Sequence, residues 1–429
     1  MKISSPRGTS DIYGEDIDYR NFIIRTAREI FEIFNYSEII TPAFEYTQVF
    51  SRSIGEGTDI VQKEMYTFMD RKGRSLTLRP EGTASIVRAV IENKIYSENM
   101  PLKLFYIGNM FRYERPQKGR MREFWQLGIE SIGTDNPVID AEVIWILNSF
   151  FVKLGFKKLI LLVNSMGCSR CREKFLAEFK KYIKPELGKL CNDCQNRFEK
   201  NPLRVFDCKK NSCKSILASS PEVSSYLCSE CKRNFKEALE YLKILKIKYR
   251  VDKNLVRGFD YYTKTIFEII SEDLQSAQNA LGGGGRYDNL ISQLGGPEIP
   301  AIGFAVGIDR TMMLMKQLNL KFKKLTRKTR VYLITMNKNC QIYSLDILKY
   351  LREMEVTCDI NFSNKNLKKE IKWARDNNYN FIIIIGEDEI NSGSLTIKDI
   401  KKFKQYKVDW KNQKDKIMEI IGANRSKLL

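Results

Sequence analysis

The chain has 429 residues, 43% of them hydrophobic and 29% charged, which is too apolar for disorder and long enough for two or three domains. It contains no histidine, which excludes Ser-His-Asp and Cys-His triads, histidine general bases and every metal site built on imidazole. The 72 Lys and Arg against 52 Asp and Glu leave a formal charge of +20; this favours a polyanionic partner, and lysine-biased composition is the alternative source of the excess.

The opening MKISSPRGTSDIYGED has no apolar h-region, so no signal peptide is expected. The longest apolar run, Phe381 to Ile385, is far too short to span a bilayer, so the expected location is cytoplasmic, with no membrane. Residues 17–34 set Phe22, Ile23, Ala27, Ile30, Phe31 and Phe34 at helical spacing. Strand-like segments come next: SEIITP, MYTFMD, SLTLRP, LKLFYIGNMFRY and EFWQLGIESIG. Turn residues such as those at 70–73 separate them, which predicts an antiparallel sheet. Residues 138–155 return to helix.

From 166 to 246 the character changes: eight of the ten cysteines, many lysines and few long apolar strands predict an inserted, mostly helical module. Without an export signal, the clustering points to metal or reduced thiols rather than disulfides. Cys168-x-x-Cys171, Cys191-x-x-Cys194, Cys208-x4-Cys213 and Cys228-x-x-Cys231 supply thiolates enough for two tetrahedral structural zinc sites; thiols packed as small apolar groups are the alternative. Strand character resumes at LVRGFDYYTKTIFEII. The tract LGGGGRYDNL and a helix near 307–318 come next. The stretch 321–330, KFKKLTRKTR, reads as a solvated linker. Beyond it VYLITM, VTCDINF and FIIIIG alternate with two helices as β-α-β-α-β, which predicts a separate α/β domain.

The residues that carry chemistry lie mainly around one hairpin. FRYERPQKGRMREF spreads Arg112, Arg115, Lys118, Arg120 and Arg122 across a short loop. In the strand after it, alternation puts Phe124, Gln126, Gly128 and Glu130 on one face. An aromatic, an amide and a carboxylate beside arginines suit a nucleotide and a polar or cationic ligand; a solvated charged face is the plainer reading. In TLRPEGT, Arg79, Glu81 and Thr83 fall on one side if the strand continues past Pro80. Arg257 precedes two tyrosines. Gly282 to Gly285 either brings backbone close to a ligand or forms a flexible turn, and it has neither P-loop nor dinucleotide spacing.

At these residues the chain resembles the histidyl-tRNA synthetases, a class II aminoacyl-tRNA synthetase family. The matching pieces are PRGTSD (6–11), LTLRPEGT (76–83), MFRYERPQKGR with FWQLGIESIG (110–133), LVRGFDYYTKTIFE (255–268), GGGGRYDNL (282–290), GFAVGIDR (303–310) and FIIIIGEDEINSGSLTIKD (381–399). LVRGFDYYT is specific to the histidine branch. The resemblance implies an α+β fold, with a class II antiparallel sheet flanked by helices, a helical insertion and a C-terminal α/β anticodon-binding domain. The implied boundaries are 1–165 and 247–325 for the catalytic core, 166–246 for the insertion and 331–429 for the anticodon-binding domain.

It also implies ATP-dependent ligation of L-histidine to tRNA(His) through histidyl-adenylate, with Mg²⁺ on the outer phosphates and a homodimer whose interface includes residues 36–46. By this resemblance Arg112 and Arg257 flank the α-phosphate, Arg257 standing where other class II enzymes use a metal. Arg120 and Arg310 hold the outer phosphates and Phe124 stacks on adenine. Glu81, Thr83 and Gln126 meet the substrate ammonium, while Glu130, Tyr261, Tyr262, Gly283 and Tyr287 surround the imidazole. Arg115 and Gln117 contact the tRNA acceptor end, the basic insertion lies along it, and Lys368, Lys369 and Lys372 lie near the anticodon. Trp125 departs from the histidine often found there. The main alternative is a regulatory paralogue, a subunit of ATP phosphoribosyltransferase; such chains tend to lose the arginines and the C-terminal domain, both kept here.

Overall fold

Helix α1 (Glu15–Ile33) turns Ile23, Ala27, Ile30 and Phe31 into the core at the expected spacing, and its acidic first turn suits the positive end of the helix dipole. The structure is a computed structural model and describes residues 3–55, 57–97, 100–117, 119–273, 280–322, 329–362 and 366–422. Lys118, residues 323–328 of the expected linker, and 363–365 and 423–429 of the expected C-terminal domain lie outside the described residues. The chain divides into two compact units, 1–322 and 323–429. Among the described residues no helix is long and apolar enough to cross a membrane.

After α1 come β1 (Ser37–Glu38), β2 (Phe44–Tyr46), α2 (Thr47–Ile54), β3 (Tyr66–Met69) and β4 (Ser75–Leu78). The expectation of one sheet for all the early strands needs correction: β2, β4 and β3 make a small antiparallel sheet of their own. At its turn the Asp70 carboxylate accepts the Lys72 and Arg74 backbone N–H groups. Then come α3 (Thr83–Glu92), β5 (Leu102–Phe111), β6 (Glu123–Ile132), α4 (Pro137–Lys153) and β7 (Leu159–Ser165). Between β7 and β8 (Tyr249–Val251) lie α5 (Ser169–Ile183), α6 (Asn192–Lys200), α7 (Asn211–Leu217) and α8 (Ser229–Ile244), joined by short 3₁₀ turns. The unit ends with β9 (Thr263–Ser271), β10 (Ala280–Arg286), α9 (Leu290–Gln293), β11 (Ala301–Gly307) and α10 (Ile308–Gln317).

The main sheet has the order β1-β5-β6-β11-β10-β9-β7-β8. Its six central strands are antiparallel throughout, and the edge pairs β1/β5 and β7/β8 are parallel. Period-two alternation decides what each face carries. Leu127 and Ile129 of β6 pack with α1 and α4, while Gln126 and Glu130 turn to the opposite face. On that second side Phe175, Phe179, Leu203 and Leu217 from between β7 and β8 share one core with Tyr261, Tyr262 and Tyr287.

The glycine tract is strand, not flexible turn: Gly282 to Gly285 form the middle of β10, paired with β9 and β11. A Cβ on Gly283 would sit 2.5 Å from the Phe267 carbonyl, and one on Gly284 would overlap the Gly303 carbonyl. Only main chain fits there.

The second unit alternates β12 (Arg330–Thr335), α11 (Lys338–Glu353), β13 (Thr357–Ile360), α12 (Leu367–Asp376) and β14 (Phe381–Ile385) as expected, the three strands running parallel. Ile383 and Ile385 pack on one side and Ile382 and Ile384 on the other, so the apolar run is buried on both faces. After α13 (Glu387–Ser392), strands β15 (Ser394–Asp399) and β16 (Lys404–Asp409) add an antiparallel edge, and α14 (Lys414–Ile421) packs beside it. Helix α12 keeps Lys368, Lys369 and Lys372 exposed.

Candidate active site

The inner face of the main sheet floors a cavity of about 620 Å³. Glu81, Thr83, Arg112, Arg120, Gln126, Glu130, Arg257, Tyr261, Tyr262, Gly283 and Tyr287 all line it, so segments far apart in sequence converge as expected. A smaller cavity of about 180 Å³ shares Arg112, Glu114 and Arg120 with the first and adds Phe124 and Arg310. Arg115 and Gln117 line neither; both are exposed on the hairpin loop.

Glu130 is the best-held group on the floor. The Thr83 hydroxyl donates to one carboxylate oxygen at 2.7 Å, and the Tyr287 hydroxyl donates to the other. Burial pushes this carboxyl up to about 8; the two hydroxyl donors oppose that shift, and the nearby Glu81 adds to it. Glu81 is buried as well, and its two oxygens accept the Thr83 and Ala84 backbone N–H groups at 2.7 Å each. It thereby satisfies the open donors at the start of α3, and burial again raises its pKa. Gln126 Oε1 is buried with no hydrogen-bond partner among the described residues. An unpaired buried carbonyl of this kind is costly unless a ligand donates to it.

Around the floor stands an aromatic wall. Phe259 and Tyr261 stack at 5.1 Å between ring centroids, Tyr261 and Tyr262 lie 4.7 Å apart, and Tyr287 meets Tyr261 edge-on at 5.7 Å. Burial keeps all three phenols above their ordinary range and hence protonated. The cations stand opposite. Arg257 Nη1 donates to Glu268 at 2.7 Å, while its Nε is buried without a partner among the described residues. Arg112 Nε is anchored on the Pro80 carbonyl at 2.9 Å, and its guanidinium lies 5.3 Å from the Phe124 ring. Arg310 has its pKa lowered by burial and by the neighbouring charge of Arg120. Two arginines held together in this way suit a multivalent anion.

One sequence expectation fails in detail. Strand β4 stops at Leu78, so Arg79 does not join Glu81 and Thr83; its guanidinium clamps the Thr41 and Asn109 carbonyls instead. Other lining residues escaped the sequence reading: Glu64, Glu114, Glu268, Arg197, Arg204 and Lys209. Alternation along β9 from Lys264 would have flagged Glu268, but Arg197, Arg204 and Lys209 sit where no periodic pattern points.

The cysteines converge in two quartets. Cys168, Cys171, Cys228 and Cys231 form one, and Cys191, Cys194, Cys208 and Cys213 the other, with all ligand atoms of a quartet within 4.8 Å of each other. The outer and inner pairs thus associate separately.

The family models and the relatives of 30% identity or more agree on one family. A family model described as histidyl-tRNA synthetase matches residues 8–181 and 202–311, and an anticodon-binding-domain model matches 330–420. The chain is 44% identical over 421 residues to a histidine–tRNA ligase of Halothermothrix orenii, covering 98% of this chain and 100% of that one. It is 42% identical to that of Bacillus subtilis, covering 99% and 100%. The crystal structure of apo Staphylococcus aureus histidyl-tRNA synthetase superposes with a TM-score of 0.81 at 34% identity, covering 98% of this chain and 100% of that one.

Proposed function

The chain belongs to the histidyl-tRNA synthetase family, and from that premise we propose that it joins L-histidine to tRNA(His) in two steps, with ATP as the energy source. It is an aminoacyl-tRNA ligase. The observation that carries the residue assignment is the single cavity that sets a buried carboxyl–hydroxyl cluster opposite arginines, next to a second cavity holding Phe124 and Arg310.

Neutral imidazole offers one donor and one acceptor. Glu130 accepts from the ring N–H while keeping the Tyr287 hydroxyl as its donor, and the Tyr262 hydroxyl donates to the other ring nitrogen. An amino acid without the second nitrogen leaves one buried group unpaired, which is the cost that discriminates. Gln126, Glu81 and Thr83 take the ammonium group, for which the open Gln126 carbonyl is suited.

One substrate carboxylate oxygen then attacks the α-phosphorus of ATP and diphosphate leaves. Arg112 and Arg257 meet the charge that grows there, and their anchoring on Pro80 and Glu268 limits reorganisation during the step. Arg120 and Arg310 hold the outer phosphates and Phe124 packs on adenine. Mg²⁺ enters with ATP as part of the substrate; Glu64, Glu114 and Glu268 are hard oxygen donors in this cavity that suit it. Burial and the adjacent Glu114 charge raise the Glu64 pKa, which a cation would relieve. In the second step the terminal adenosine hydroxyl of tRNA attacks the acyl carbon and AMP leaves.

We place the acceptor end against Arg115 and Gln117 and the insertion, and the anticodon against Lys368, Lys369 and Lys372 on α12. The working form is a cytoplasmic homodimer with residues 36–46 at its interface, and the two cysteine quartets hold structural zinc. The core boundaries 1–165 and 247–325, the insertion 166–246 and the anticodon-binding domain 331–429 are retained as the functional division. The regulatory-subunit reading is less supported, since Arg112, Arg257 and Arg310 all line the cavities and the anticodon-binding model matches 330–420.

ATP–diphosphate exchange dependent on histidine, followed by charging of transcribed tRNA(His), tests the assignment. A folded chain that exchanges with no amino acid, or equally well with several, overturns it.

A further inference from the structure

We propose that zinc bound by Cys191, Cys194, Cys208 and Cys213 acts as a positioning element for the catalytic loop, so that metal occupancy of the insertion sets the rate of adenylate formation. The coupling rests on the synthetase reading; the metal site does not. The family model passes over residues 182–201, which hold two of the four cysteines, and matches the stretch that holds the other two.

Several observations favour a metal over packed thiols. A single tetrahedral zinc with bonds of about 2.3 Å sets its sulfurs about 3.8 Å apart. In this quartet Cys191 and Cys208 Sγ lie 3.9 Å apart and all four sulfurs fall within 4.8 Å, too close to enclose a multi-iron cluster. Backbone N–H groups also point at sulfur: Cys191 N–H donates to Cys213 Sγ at 3.4 Å. In the other quartet Cys228 N–H donates to Cys171 Sγ at 3.1 Å. Apolar packing of neutral thiols requires no such donors. Cys168, Cys191 and Cys228 each occupy the N-cap of a helix, α5, α6 and α8, where a thiolate is favoured by the helix dipole.

The quartets sit at different places in the chain. Cys168 comes directly after β7 and Cys231 lies in the first turn of α8, so the outer quartet clasps the root of the insertion. The inner quartet ties both ends of the segment 195–207, with Cys194 before it and Cys208 after it. That segment reaches the catalytic loop. The buried Asn201 side chain donates to the Asp260 carboxylate, immediately before Tyr261 and Tyr262. Arg204 approaches Asp59 at 3.8 Å and lies against Gly258, and Lys200 donates to Gln62 at 2.9 Å. Arg197 and Arg204 line the main cavity beside Arg257. Without a metal at its base the segment gains conformational freedom, and the Asp260 anchor is lost with it. The loop that carries Arg257 and the tyrosines is then held less firmly. An ångström of displacement there is enough to slow chemistry without unfolding the sheet.

Elemental analysis and exchange kinetics on the full chain, purified without chelator, test this. Wild type is expected to carry two zinc ions per chain, Cys208→Ser one, and Asn201→Ala two, one ion corresponding to each quartet. Histidine-dependent ATP–diphosphate exchange is expected to fall by roughly tenfold or more in both variants, with the double variant no slower than Cys208→Ser. Circular dichroism confirms the fold. Less than one zinc per wild-type chain, or iron in its place, overturns the site. Exchange within about twofold of wild type in a Cys208→Ser protein that has lost one zinc overturns the coupling. If Cys208→Ser does not fold, Asn201→Ala decides alone, since it keeps every ligand: a rate within about twofold of wild type overturns the coupling. Two zinc ions with no exchange in the wild type supports the site while sinking the synthetase reading, and the coupling with it.

Discussion

Two walls of one cavity are held by different physics. On the sheet side, Glu130 is fixed by Thr83 and Tyr287, which are themselves set by α3 and by the turn after β10, and Leu127 and Ile129 bury the far face of the same strand. On the insertion side, Arg197 and Arg204 belong to a short helix and a 3₁₀ turn, with cysteine sulfurs gathered at their base. The sheet wall holds its groups by repetition, since neighbouring strands constrain one another along their length. The insertion wall has little regular pairing and relies on a few converging points. A substitution in the first should therefore act through stability, and one in the second through geometry.

The largest expected effect tests the sheet side. Arg286 and Asp140 form a nearly inaccessible ion pair at 2.7 Å, joined by the Thr265 hydroxyl and the Thr134 and Asn136 carbonyls. Arg286→Ala strands a buried carboxylate and should lower unfolding stability by about 3–5 kcal/mol in urea titrations. A loss below about 1 kcal/mol would mean that this wall is not held as described.

Next comes Arg257, which the sheet wall holds through Glu268. Arg257→Ala should slow single-turnover adenylate formation by about 10²–10³, or about 3–4 kcal/mol, while moving the KM values much less, because Arg310 and Glu130 remain. Lysine should restore only part of the rate, lacking the planar fork. A folded alanine variant within about threefold of wild type discards the role.

Glu130 gives a pH signature confined to the sheet. Its folded pKa, about 8, stands above the ordinary value of 4.5, so between these limits the native state keeps a proton that the unfolded state has lost. The stabilisation is full below about 4.5 and is lost as pH rises through about 8. Glu130→Gln should flatten the fall in unfolding free energy over that window, by up to about 1.4 kcal/mol per pH unit. Unchanged slopes in the two proteins would refute the shift. The smallest effect is the control: Lys153 pairs with Glu29 at the surface at 2.8 Å, and Lys153→Ala should cost under about 1 kcal/mol.

The same contrast explains what could be read from the sequence. Gln126 and Glu130 were legible because a period of two fixes their face whatever the surroundings. Arg79 misled because β4 ends before Pro80, and a guanidinium two residues from a site glutamate can still turn away to bind carbonyls. The glycine tract resembled a turn because four glycines carry no side-chain alternation, and only pairing with the neighbouring β9 and β11 makes it a strand. Arg197, Arg204 and Lys209 gave no signal, since three-dimensional closure of the insertion places them. Cysteine spacing announced the clustering but left open which pairs combine.

The wall formed by β10 and β11 limits how substrate range can be altered. Gly283 and Gly303 line the cavity as bare backbone, and an added Cβ would strike the Phe267 carbonyl at the first and the Glu130 carboxylate at the second. Engineering that enlarges a pocket works by trimming side chains, and on this side there is none to trim. Side chains that can be cut back stand elsewhere in the lining, among them Tyr261, Tyr262 and Tyr287, which we propose surround the substrate ring. Along this wall, selectivity is therefore tied to the path of the main chain, and accumulated point substitutions cannot widen it.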